Sequence, residues 1–171
     1  MRYLVLSALV SVFLCACANY TWTNRVPAEK RTVSVPTFRN ETSVTRLGSV
    51  VSAQVSREFM REGTFSIASD GAYEVQGTLT HFSGSTMNLA RGNTLRTRDY
   101  ALHAKACVSV VDKTTNTIVI DAKQYEARTT VASGHDLVTA ERNASGRIAE
   151  EFARQIVDDL VDCASSRKEN K

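Results

Sequence analysis

Hydrophobic residues recur along the chain with two different periods, and these periods predict its secondary structure. Between residues 44 and 61 they fall on every fourth position, which indicates one face of a helix that ends before Gly63. A second helix is predicted from Leu137 to about Cys163, with Asp136 as a candidate cap. The two apolar stripes comprise Leu47, Val51, Val55 and Phe59 in the first helix, and Ala144, Ile148, Phe152, Ile156 and Leu160 in the second.

Alternation of apolar and polar residues predicts the strands. It is most regular from Arg98 to Val111, where six apolar residues alternate with His103, Lys105, Cys107 and Ser109. Four more strands are predicted at 31–35, 64–68, 73–83 and 117–131, with a tight turn at 112–116. The order β-α-β-β-β-β-α predicts an α+β domain. Two amphipathic helices would pack on one face of a four- to five-stranded mixed, largely antiparallel sheet.

The N-terminal segment combines Arg2 with an apolar run from Leu4 to Leu14. A helix of this length spans only about half of a bilayer core, so the run predicts an export signal and not a membrane anchor. The sequence Leu-Cys-Ala-Cys that ends at Cys17 resembles a bacterial lipobox, which implies cleavage before Cys17 and acylation of its thiol. Cleavage before Cys15 would place bulky Leu14 where a small residue is required. An ordinary secretory signal is the other alternative.

These features divide the chain into four segments: a signal peptide at 1–16, a lipidated tether at 17–30, one domain at 31–163 and a disordered tail at 164–171. Ala18 follows the lipidated cysteine where Asp would resemble an inner-membrane retention signal, so the resemblance implies the outer membrane. Without the signal peptide the chain has 20 Lys and Arg residues against 18 Asp and Glu residues, a net charge of +2. That balance indicates no particular partner.

Two cysteines besides the acylated Cys17 remain after cleavage, Cys107 and Cys163. An oxidising compartment permits a disulfide between them, but the sequence leaves open whether they pair or stay as free thiols. Neither has the CxxC or Cys/His spacing of a zinc site, and no other cluster predicts a metal or a cofactor.

The chain lacks the motifs of the common enzyme classes, including GxSxG, HExxH and the P-loop. Its three histidines are distributed over two predicted strands and a loop, and each is interpreted as a surface residue. No basic stripe with interleaved aromatic residues predicts nucleic-acid binding. We therefore expect a binding protein, not an enzyme.

One local group of charges is a candidate binding site. Arg91, Arg96 and Arg98 lie in and beside the connection between the third and fourth predicted strands without an acidic residue up to Arg98, and Lys105 follows on the fourth strand. The simpler interpretation is a solvated hairpin tip. At a surface rich in lipid phosphates, however, the guanidinium fork favours anion binding, so these four residues are candidates for contact with lipid phosphates.

Five segments together resemble the lipopolysaccharide-assembly lipoprotein family, LptE: VSVPTFRNET, EFMREGTFSIAS, AYEVQGTLTHFS, VSVVDKTTNTIVID and AEEFARQIVDDLVD. The resemblance covers about residues 31–162. It implies two helices packed on a sheet, and an outer-membrane lipoprotein that helps to assemble and partly plugs the large β-barrel LptD. It also implies binding of lipopolysaccharide on its way to the cell surface.

A second interpretation of the function remains open. The stretch VPTFRNET followed by a helix also resembles periplasm-facing lipoproteins that activate peptidoglycan synthases or build secretion channels. The last predicted strand and the long terminal helix favour the LptE interpretation.

Overall fold

The computed structural model describes residues 26–86, 98–133 and 137–166. A short 3-10 turn at Ala28–Lys30 precedes the first strand. The regular elements are β1 (Thr32–Ser34), β2 (Arg39–Asn40), α1 (Leu47–Glu62), β3 (Ser66–Ile67), β4 (Tyr73–Thr86), β5 (Arg98–Asp112), β6 (Thr117–Ser133) and α2 (Leu137–Ser166).

All six strands form one mixed sheet in the order β3-β1-β4-β5-β6, with β2 also paired to β4. The three long strands β4, β5 and β6 form an antiparallel meander, whereas β1 runs parallel to both β3 and β4. This confirms the predicted α+β class and the mixed, largely antiparallel sheet. Strand β2 has only two residues, too few to produce a recognisable alternation, and it was not predicted.

The two helices cover one face of the sheet and bury both predicted stripes. Leu47, Val51, Val55 and Phe59 of α1 are at most 1% exposed, and every stripe residue of α2 is 0% exposed. The apolar positions of β5 from Tyr100 to Val110 face the same core. Burial of these side chains is the main favourable contribution to folding, at about 1.5–3 kcal/mol for each large residue.

Among the described residues, no helix packs on the other face of the sheet, and we call this face the open face. Across β4, β5 and β6 it presents rows of in-register side chains. From the β5–β6 turn outward, these rows are Gln76 beside Ser109, Thr78–Cys107–Gln124, His81–Lys105–Glu126, Ser83–His103–Arg128 and Ser85–Ala101–Thr130.

Both ends of the domain extend further than predicted. Val26, in the predicted tether, is only 2% exposed and belongs to the core cluster, so the packed domain includes residues before 31. Helix α2 continues three residues past Cys163, because Ala164 packs into the core and the hydroxyls of Ser165 and Ser166 donate to the Asp162 carbonyl. Asp136, the predicted cap, lies outside the described residues.

Candidate functional site

The predicted basic site is only partly within the described residues. Arg91 and Arg96 lie outside them, and of Arg98 only the backbone is described, as the first residue of β5 paired with Ser133. Lys105 lies on the open face, seven residues along β5 from Arg98, where the strand begins. The structure therefore places Lys105 on a face shared by β4, β5 and β6.

Lys105 belongs to a cluster of charged residues centred on one carboxylate. Its Nζ lies 2.7 Å from Oε1 of Glu126, the residue directly opposite on β6. Oε2 of Glu126 lies 3.2 Å from Nε2 of His103 and 3.2 Å from a terminal nitrogen of Arg128. Two invariably charged cations and one imidazole thus converge on Glu126. We call these four residues the Glu126 cluster.

The surrounding charges lower the pKa of Glu126 to about 2. The hydrogen bond from Lys105 is the largest cause, followed by those from Arg128 and His103. Glu126 is therefore fully ionised at neutral pH. With neutral His103, the cluster carries a net charge of +1.

A depression of about 300 Å³ adjoins the cluster on its side nearer the β4–β5 connection. His103 and Arg128 line it together with the hydroxyl residues Ser83, Ser85 and Thr130. His81 is next to it, with its ring centroid 6.2 Å from that of His103. Hydrogen-bond donors thus line the depression beside Ala101 and Leu102.

Helix α2 fixes the strand that carries Glu126 and Arg128. The hydroxyl of Tyr125 donates to Asp159 at 2.6 Å, and Lys123 Nζ lies 2.6 Å from the same carboxylate oxygen. Gln155 donates to the carbonyl of Glu126 at 3.1 Å. Although burial raises the pKa of Asp159, the bonds from Lys123 and Tyr125 outweigh it and lower that pKa. The open-face side chains of β6 are therefore held on a backbone tied to α2.

A buried ion pair defines the opposite end of the sheet. Lys30 Nζ lies 2.6 Å from Oδ2 of Asp112, whose side chain is 0% exposed. Burial opposes ionisation of Asp112, but hydrogen bonds from Lys30, Thr114 and Thr115 outweigh it and lower its pKa well below the usual range. The predicted lipidation site, Cys17, lies outside the described residues, and the chain that leads from it enters the fold beside this pair.

Cys107 and Cys163, whose pairing the sequence left open, are free thiols in the structure. Cys107 lies on the open face opposite Thr78 and Gln124. Cys163 lies on α2, which packs against the other face, and lines a depression with Ile120 and Asp159. The sheet separates the two sulfur atoms, so the structure holds no disulfide between them.

No group of three His, Cys, Asp or Glu side chains within residues 26–86, 98–133 and 137–166 is arranged to hold a metal ion. Over that same part of the chain, no helix has the length and apolar character needed to cross a bilayer.

The sequence alone did not identify His103, Glu126 and Arg128 as parts of one cluster. The only signal was their position on the polar side of two predicted strands. Strand register, which the sequence does not give, sets His103 opposite Arg128 and Lys105 opposite Glu126.

Several solved structures have a similar fold, among them two bacterial proteins. A hypothetical protein from Chlamydia trachomatis superposes with a TM-score of 0.56 at 13% identity, covering 80% of this chain and 99% of that one. A protein from Xanthomonas campestris gives a TM-score of 0.55 at 10% identity, covering 84% of this chain and 92% of that one. At such low identities these similarities show the fold alone. No curated protein sequence matches the chain.

A family model described as "Lipopolysaccharide-assembly" matches residues 30–160, from the lysine of the buried ion pair to Leu160 near the end of α2. The match includes all six strands and both helices, apart from the last six residues of α2. It covers well over half of the chain. The protein therefore belongs to the LptE family of lipopolysaccharide-assembly proteins.

Proposed function

We propose that this protein is an outer-membrane lipoprotein, acylated at Cys17, that assembles with and plugs the lipopolysaccharide-translocating barrel LptD. The observation that carries the proposal is the family match over residues 30–160, which includes nearly the whole described fold. In this role the protein is a binding and assembly partner and not an enzyme.

The open face has the chemistry that a barrel plug needs. The lumen of a large outer-membrane barrel is polar, so a domain inside it should present hydrogen-bonding groups and not an apolar surface. The open face carries Gln76, Thr78, Ser83, Gln124 and Thr130 together with the Glu126 cluster. The helices meanwhile enclose the apolar core on the other face, which lets the domain keep its fold in an aqueous lumen.

The described chain enters the fold at one end of the sheet, and the strand that begins at Arg98 starts at the other end. Lys30 pairs with Asp112, the last residue of β5, whereas Arg98 is the first residue of that strand. Fourteen strand steps separate Arg98 from Asp112, about 46 Å at 3.3 Å per step. Arg91, Arg96 and Arg98 would then meet lipopolysaccharide phosphates well away from the membrane leaflet that holds the acyl chains.

Affinity purification of the tagged full chain from detergent-solubilised membranes tests the partner. Co-purification of a large β-barrel in about equal amount is the expected result. Recovery of a peptidoglycan synthase or a secretion channel without the barrel would overturn the plug assignment and support a regulatory lipoprotein.

The Cys17→Ser variant tests the anchor. Acyl transfer requires the thiol, and a chain without lipid loses its membrane affinity of about 0.8 kcal/mol per buried methylene. We expect loss of lipid labelling and release of the chain from the membrane fraction. Normal labelling would place the lipid on another residue.

Replacing Arg91, Arg96 and Arg98 with Glu tests the lipid contact. Binding of lipopolysaccharide should fall, and binding by the parent should weaken with salt because the contact is charge-assisted. A control with the exposed Arg57, Arg61 and Arg154 changed to Glu has the same net charge. Equal losses of lipopolysaccharide binding in both variants would show that only the net charge matters. They would exclude these three arginines from the lipid site.

A further inference from the structure

The Glu126 cluster contains more positive than negative charge on a solvent-accessible surface. Lys105 and Arg128 carry positive charges, and Glu126 is the shared partner of both and of the His103 ring. The next carboxylate along this part of β5 is Asp99, four residues from His103, or about 13 Å along the strand. A second anion near Glu126 would therefore meet cations that one carboxylate only partly neutralises.

The groups beside the cluster suit the oxygen atoms of a phosphate. The guanidinium of Arg128 can donate two parallel hydrogen bonds to one phosphate, and the imidazole of His103 can donate a third. Ser83 and Ser85 add hydroxyl donors around the same depression. Its volume of about 300 Å³ accommodates a phosphate group with part of an attached sugar.

Glu126 occupies the position that such an anion would take between the cations. Oε2 contacts both His103 and Arg128, whereas Oε1 contacts Lys105 alone. A phosphate that displaces only Oε2 can bind His103 and Arg128 while Lys105 continues to neutralise Glu126. Arg128 can readily exchange Glu126 Oε2 for a phosphate oxygen, because its side chain is 76% exposed.

We propose that the depression bounded by His103 and Arg128 is a binding site for a phosphate monoester, and that Glu126 is its built-in competitor. Bound phosphate takes the place of Glu126 Oε2 on the two cations and accepts from the neighbouring hydroxyls. The phosphate recognition stands on this geometry alone. Naming a phosphorylated glycolipid as the natural ligand rests on the proposed function.

Titration of the purified full chain in detergent with inorganic phosphate, followed by the NMR shifts of the His103 ring, tests the site. Arg128→Gln should weaken binding at least tenfold because it removes the bidentate donor. Glu126→Gln should tighten binding about three- to tenfold because it removes the competing charge.

Glu74→Gln is the matched control for Glu126→Gln. It removes the same charge from an ion pair near the other end of β4, where Lys113 Nζ lies 2.9 Å from Glu74 and the Gln76 amide donates to the same carboxylate. The control should bind phosphate within about twofold of the parent. Equal tightening by both variants, or no tightening by Glu126→Gln, would overturn the proposal.

A second titration identifies the natural source of the phosphate. Micellar lipopolysaccharide, before and after phosphatase treatment, replaces inorganic phosphate. Binding that is lost after phosphatase treatment, and that Arg128→Gln weakens and Glu126→Gln tightens, supports the glycolipid as the ligand. A response to inorganic phosphate alone supports the site with free phosphate as its ligand. Absence of both responses overturns it. The Glu126→Gln chain is also tested for co-purification with the barrel. If the barrel co-purifies although phosphate binding is absent, the phosphate site is wrong and the proposed function is unaffected.

Discussion

Lys30 and Asp112 form a buried ion pair with 2.6 Å between Nζ and Oδ2, which joins the first turn of the domain to the end of β5. The carboxylate also accepts from Thr114 and Thr115 in the β5–β6 turn. One side chain thus organises the turn and fixes the point where the N-terminal chain enters the fold. This end of the sheet depends on charge as well as on apolar packing.

Removing the cation of this pair should destabilise the protein strongly. Lys30→Met leaves a fully buried carboxylate without its charged partner, and we expect a loss of about 3 kcal/mol in the free energy of unfolding. Lys113→Met is the control, because its partner Glu74 is partly exposed and such a pair contributes less than about 1 kcal/mol. Urea unfolding measures both, and equal losses would contradict a special role for the buried pair.

The same carboxylate predicts how stability depends on pH. The pKa of Asp112 is lower in the folded state than its unfolded value of about 3.9, so its ionised form stabilises the fold above that value. The stability is lost as pH falls from about 4 towards the folded-state pKa. Urea unfolding at a series of pH values gives the free energy of unfolding as a function of pH. For Asp112→Asn, this free energy should change less between about pH 4 and lower pH than it does for the parent. Parallel curves for parent and variant below pH 4 would exclude Asp112 as the cause.

Two helical glycines should respond to alanine with opposite signs. Alanine normally favours a helix by about 1 kcal/mol over glycine, and Gly146 of α2 has open space around its missing Cβ. A Cβ on Gly48 of α1 would lie 2.3 Å from the Phe38 carbonyl oxygen. Gly146→Ala should raise the melting temperature by a few degrees, and Gly48→Ala should lower it by a similar or larger amount. A rise in both would show that the Phe38 backbone moves aside readily.

A charge on the buried stripe of α2 should prevent folding. Phe152 is 0% exposed, and an unpaired carboxylate there costs several kcal/mol, comparable with the whole stability of a domain. Val138→Asp on the same helix is the control, since Val138 is 63% exposed. Circular dichroism and thermal melting should show an unfolded Phe152→Asp chain beside a native-like control. A cooperative melt of Phe152→Asp at the melting temperature of the parent would show that this face of α2 does not belong to the core.

The sequence by itself determined the helices, the three long strands and the side of each that is buried. Leu47, Phe59, Ile148 and Phe152 lie in the core because a period near 3.6 can face a sheet in only one orientation. The regular alternation from Tyr100 to Val110 likewise specified which side chains of β5 point away from the helices. These are local properties, and a few neighbouring residues are enough to express them.

Only the tertiary structure decided which distant polar residues meet. The register shift between Leu79 and His81 places His81, and not Thr80, opposite Lys105, and the pairing of β5 with β6 brings Glu126 to Lys105 and Arg128 to His103. Lys30 meets Asp112 across 82 positions of sequence. A one-residue shift in strand pairing would separate the residues of the Glu126 cluster without changing any local sequence pattern. Register, and the point where the N-terminal chain enters the fold, both depend on the packing of the whole sheet.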